Sequence, residues 1–168
     1  SFAGAKKDKR GRKEILEEYL LSLILQSESV GDHFKLSSEI LEDYEFEMPS
    51  YKKIFEYLKF YFKNNQNYSI KLFVKSLPKE TIALFDACYI LPLPKFEKSE
   101  KYTQELEKVA RELRVLYLRN KIKVIAQTIN KKEKEKEETK GLQKELSDLV
   151  KLLQNLNQAS KNQVSVLK

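Results

Sequence analysis

Only four glycines and four prolines interrupt the 168 residues, too little punctuation for a turn-rich sheet protein. A single cysteine excludes an internal disulfide and fits a reducing compartment. A lone histidine, His33, is expected as a helix cap or surface residue, because a metal site needs several ligands. No apolar run approaches the ~20 residues that span a bilayer. The first thirteen residues are basic and polar, without the apolar stretch of a secretory signal. No glycine-rich loop follows a strand, so no phosphate cradle is visible. The Ser, His and Cys residues form no motif for nucleophilic catalysis. Together these absences predict a cytoplasmic, non-catalytic chain with no metal, no cofactor and no small-molecule substrate. The lack of an initiating Met suggests a fragment.

What the chain has is charge, 34% of its residues, with a net value of +7. The distribution says more than the total. Residues 1–13 carry six Lys/Arg against one acid, whereas residues 14–50 carry one Lys against ten acids. Those acids are expected on solvated helix faces, with no cleft to shift their pKa values. Cys88, in an apolar setting, is expected as a small buried hydrophobe rather than a nucleophile.

The organising stretch is 102–157. Along its first arm Val115, Leu118, Ile122, Ile125 and Ile129 alternate spacings of three and four. Along its second, Leu142, Leu146, Leu149, Leu153 and Leu156 alternate four and three. Each series is the seam of a helix that packs on another helix. Paired antiparallel, 129 with 142 through 115 with 156, the two seams meet in register about a turn near Glu135 and Lys136. The flanking residues, Lys131 to Gly141, contain no apolar side chain. A second line on the first arm, Leu106, Ala110, Leu113, Tyr117 and Val124, needs another body to pack on. Residues 14–94 supply it. The spacing equally allows a self-associating, intermolecular coiled coil.

In chain order, Ser1 to Arg12 reads as a flexible basic linker. A helix is predicted from Lys13 to about Gln26, ended by Ser27 to Gly31, and a short one over 33–43. Ser50 starts a third, to about Lys63. Ser69 starts a fourth, ended by Pro78, and Lys79 to Ile90 forms a fifth. The fifth is apolar nearly all round, which predicts the bundle centre. Pro92 and Pro94 lead the chain out through Lys95 to Lys101 into the long helix. The fold class is therefore all-α: a compact bundle of short helices (13–117), then a long helix and a C-terminal antiparallel helical hairpin (118–158), with a tail (159–168). In that tail Val164, Val166 and Leu167 are candidate contacts.

Two binding surfaces stand out. On the third helix Tyr57 and Phe60 with Lys52, Lys53, Lys59 and Lys63 suggest a nucleic-acid contact, joined by the N-terminal tail. The alternative there is an aromatic core helix whose lysines reach outward. On the hairpin, Val124, Val150 and Leu152 fall off the seam. With Leu146, Leu153 and Leu156 they make a candidate protein-binding edge. The turn lies eighteen residues beyond Tyr117, ~27 Å of helix, clear of the bundle.

The order of these elements, from EEYLLSLILQ through short helices to KGLQKELSDLVKLLQNL, resembles the C-terminal domain of bacterial DnaG-type primases from about Lys13 to Ala159. In that family a Pro commonly follows the first helix, where this chain has Ser27–Glu28–Ser29. The resemblance implies a helical bundle and hairpin that dock on the N-terminal domains of the replicative helicase (DnaB type). It further implies that the zinc-binding and catalytic domains lie upstream.

Overall fold

The computed structural model describes residues 10–166, with side chains as far as 162. Seven helices account for most of them: α1 (Arg12–Leu25), α2 (Val30–Leu41), α3 (Pro49–Asn64), α4 (Ile70–Ser76), α5 (Lys79–Ile90), α6 (Ser99–Lys134) and α7 (Lys140–Val166). No strand occurs among the described residues, so the chain is all-α.

Helix α1 is the centre of the bundle. From Leu20 to Leu25 every side chain is buried, Ser22 included, and α2, α3, α5 and α6 all pack on it. A run apolar on every side has no outward face to give to water. Ser22 fits there because its hydroxyl donates to the Glu18 carbonyl at 2.7 Å. The expectation that α5 fills the centre is corrected. Of its side chains only Thr81, Phe85 and Cys88 are buried, while Ala83, Asp86, Ala87, Tyr89 and Ile90 are exposed. Helix α5 packs mainly on α1 and α3, and the denser LLSLIL run outcompetes it for the interior. Its last carbonyls, at Cys88 and Leu91, accept from the Gln26 amide at 2.8 and 2.9 Å. A side chain of α1 thus satisfies the helix end that Pro92 forces. Burial pushes the Cys88 thiol up to about 11, so it stays protonated and unreactive.

Two boundaries differ from expectation. Helix α2 begins at Val30, not residue 33, because Ser29 N–H donates to Ser27 Oγ at 2.8 Å and the Ser29 carbonyl accepts from His33 N–H. Gly31 is therefore a helical residue rather than a terminator. A Cβ there would sit 3.2 Å from the Phe62 ring, so glycine lets α2 lie close on α3. The linker expected over 1–12 lies outside the described residues for 1–9. Its last positions are not free: Arg10 pairs with Glu18, and Arg12 opens α1 and pairs with Glu112 of α6.

His33 is half-buried inside α2, neither cap nor surface residue. Its Nδ1 is hydrogen-bonded to Ser27 Oγ and its Nε2 to Thr103 Oγ1 at 2.9 Å, so one ring fastens the α1–α2 corner to α6. Burial holds its pKa below the ordinary value, against a smaller opposing pull from Asp32.

The acids of 14–50 are not all solvated. Glu17 is fully buried, and its carboxylate accepts from Tyr44 O–H (2.6 Å) and from the backbone N–H of Glu47 (2.6 Å) and Met48 (3.2 Å). Three donors replace its lost water and clamp the α2–α3 connection onto α1. Glu18 likewise accepts from Tyr51 O–H at 3.0 Å. Burial first, then the partner carboxylate, pushes the Tyr44 and Tyr51 hydroxyls upward.

Replacing Glu17 with Ala strands three donors and is expected to cost about 3 kcal/mol, read as a lowered urea midpoint. For His33 the folded protein favours the neutral ring, so its contribution is complete above pH 6.5 and is lost below it, as pH falls through the lowered folded value. The midpoint of the parent protein should therefore drop more steeply below about pH 6.5 than that of His33→Gln. Parallel pH profiles would separate His33 from the stability of the fold.

Candidate partner-binding surface of the α6–α7 pair

Helix α6 serves two cores and passes from one to the other between consecutive residues. Leu106, Val109, Ala110, Leu113 and Tyr117 belong to the bundle core. Leu118, Ile125 and Ile129 form a second core with Leu149, against which Ile122, Leu142, Leu146, Leu153 and Leu156 pack. The two seams therefore meet within one chain. The helix continues unbroken through Asn120.

Charged residues extend the helices further into the expected turn, since α6 ends only at Lys134 and α7 starts at Lys140. Glu137 N–H bonds to the Lys132 carbonyl (2.9 Å) and Lys136 N–H to the Glu133 carbonyl (3.1 Å). This is the paired pattern that closes a helix through a left-handed residue. That residue is Lys136, at φ 57°, where glycine is usual; a lysine bears a strain of about 1 kcal/mol there.

At the other end the seam stops short. Val115, expected opposite Leu156, is half-buried and joins neither core. Beside it Glu42, Arg114, Leu118, Leu152, Asn155 and Leu156 enclose a cavity of about 210 Å³. Arg114 is buried and reaches across to the end of α2, pairing with Asp43 and, at 3.2 Å, with Glu42. Glu42 itself stands at φ 50°, a left-handed backbone that costs a non-glycine residue about 1–3 kcal/mol. Burial opposes ionisation of Asp43, but Arg114 and then Lys121 outweigh it and hold its carboxyl below the ordinary range. Lys13, Arg114 and Lys121 surround the Tyr117 ring at 5.8, 5.7 and 5.2 Å from its centroid. The junction is thus fastened by charge and by aromatic contact as well as by apolar packing.

The off-seam residues are exposed: Val124 at 52%, Val150 at 36% and Leu152 at 42%. They do not form the single apolar edge expected. Val150 and Leu152 are two residues apart on a helix, about 200° around its axis, so they lie on opposite flanks of α7. Leu152 borders the junction cavity; Val150 faces the other way. The two-residue spacing itself carried that information. Leu146, Leu153 and Leu156 are half-buried in the second core, so a partner would meet only their outer edges. The expected tail is helical as far as Val166, while Leu167 and the side chains of Val164 and Val166 lie outside the described residues.

Among the described residues no group of His, Cys, Asp or Glu could hold a metal ion, and no helix is long and apolar enough to cross a membrane. No protein-family model, curated protein or solved structure matches the chain.

Among the described side chains, Leu149 is the one α7 residue buried in the second core. Leu149→Asp buries an unpaired carboxyl there, expected to cost several kcal/mol. Amide exchange should accelerate across α7 while the amides of α1 stay protected. Equal acceleration in both would mean that the two cores unfold as one.

Proposed function

We propose that this chain is a protein-docking module, the helicase-binding domain of a bacterial DnaG-type primase, which attaches primer synthesis to the fork by gripping the N-terminal domains of a DnaB-type helicase. The observation that carries the reading is the double use of α6. One continuous helix completes a bundle and then supports α7, whose seam is satisfied inside the chain while its other faces stay open. An element built this way presents a surface rather than a pocket. The order of elements, with short helices first and a helical pair last, agrees with the family resemblance in EEYLLSLILQ and KGLQKELSDLVKLLQNL.

Because Val150 and Leu152 occupy opposite flanks, the partner on this reading is a groove that receives α7 between two walls. A self-associating coiled coil is the weaker reading, since its apolar seam is already spent on α6.

Co-purification with the helicase N-terminal domains tests the proposal. Val150→Asp and Leu152→Asp, both at exposed positions, should each weaken capture at least tenfold, about 1.4 kcal/mol, with unchanged circular dichroism. Loss in one variant alone identifies the flank that makes contact. Unchanged capture in both removes α7 from the interface.

A further inference from the structure

The outward face of α3 is used by neither core. Lys52, Glu56, Lys59, Phe60 and Lys63 fall on one side of the helix and all are exposed, opposite the buried Tyr51, Ile54, Leu58 and Tyr61. Phe60 keeps 66% of its surface in water. It is therefore not a core residue, and the reading of α3 as an aromatic core helix with outward lysines fails at this one ring. Tyr57, by contrast, is half-buried against the bundle core. Lys53 also leaves the set, because its ammonium is held 3.0 Å from Glu80 of α5. Among the described residues Lys52, Lys59 and Lys63 take part in no ion pair.

We propose that this face of α3 binds single-stranded nucleic acid, with Phe60 stacking on a base and Lys52, Lys59 and Lys63 meeting the phosphates. The first and last of the three lysines stand eleven positions apart, ~16 Å along the helix. That is a row of charge flanking a ring, the combination that follows a flexible strand without reading its sequence. A membrane fits less well, since interfacial helices bind in proportion to the apolar area they bury and here one ring stands alone on the face. An acidic peptide would need a groove or sheet edge, and this surface is a convex helix. A duplex has its bases already stacked and gives the ring nothing to gain. Glu56 is the one acid on the face and works against phosphate binding.

The test is fluorescence anisotropy of the full chain with a labelled oligothymidine of about twenty nucleotides over a range of salt. Phe60→Ala should weaken binding about tenfold. The pair Lys59→Gln with Lys63→Gln should weaken it too, and lower the slope of log affinity against log salt by about 1.4, ~0.7 for each phosphate left without its lysine. Glu56→Gln should tighten binding and Lys53→Gln leave it unchanged; a residue with a purely structural role would show neither pattern. All these positions are exposed, and thermal melting checks that the variants fold. The proposal is overturned if Phe60→Ala and the lysine pair bind as the parent does. Binding lost only on deletion of residues 1–9, duplex held as well as single strand, or tighter Phe60-dependent binding to phosphatidylserine vesicles would overturn it equally. None of these readouts involves α7, so this face and helicase docking fail or stand separately.

Discussion

Helix α6 has to satisfy two neighbours at once, and the remaining elements are disposed around that requirement. Over its first half Leu106, Ala110, Leu113 and Tyr117 close the bundle; from Leu118 onward the apolar line has moved around the helix to face α7. The change of side falls between Tyr117 and Leu118, about one turn beyond Arg114. That arginine is buried, its guanidinium is neutralised by Glu42 and Asp43, and it borders the cavity that separates bundle from α7. A buried cation without its partners would be expensive. The unusual backbone of Glu42 is consistent with that need, since it ends α2 where the carboxylates can reach.

The acidic stretch gains its meaning from the same arrangement. On average such residues sit in water, and several here do. Glu17 and Glu18 instead collect hydroxyls and backbone donors that would otherwise be stranded beneath the α2–α3 connection. Arg12 of α1 with Glu112 of α6, and Glu42 and Asp43 at the end of α2 with Arg114 of α6, tie together parts of the bundle that are far apart in sequence.

How much of this could be read in the sequence follows from the range of the interactions involved. Seams repeating at three and four residues are local and carry their own register, so the two arms and the bundle line on α6 were legible except at Val115, which joins neither core, and Val124, which is exposed. The bundle centre was not. Helices α1 and α5 are both rich in apolar residues, and only packing decides which is surrounded. Glu17 and His33 were missed for a related reason: their partners, Tyr44 and Thr103, lie 27 and 70 positions away. Composition cannot distinguish a carboxylate in water from one ringed by donors. The α7 surface was half legible. That Val150 and Leu152 lie off the seam is a matter of counting; that they face opposite ways required attention to the angle between them, not only to their distance from the seam.

Helix α6 contains neither glycine nor proline in its 36 residues, a rod of ~54 Å. Hinges in helices form at such residues or where the hydrogen-bond ladder is interrupted. A rod without a joint behaves as a tiller: whatever seizes one end sets the heading of the other. The bundle, and anything tethered to its N-terminal side, would then swing as one piece with the grip on α7.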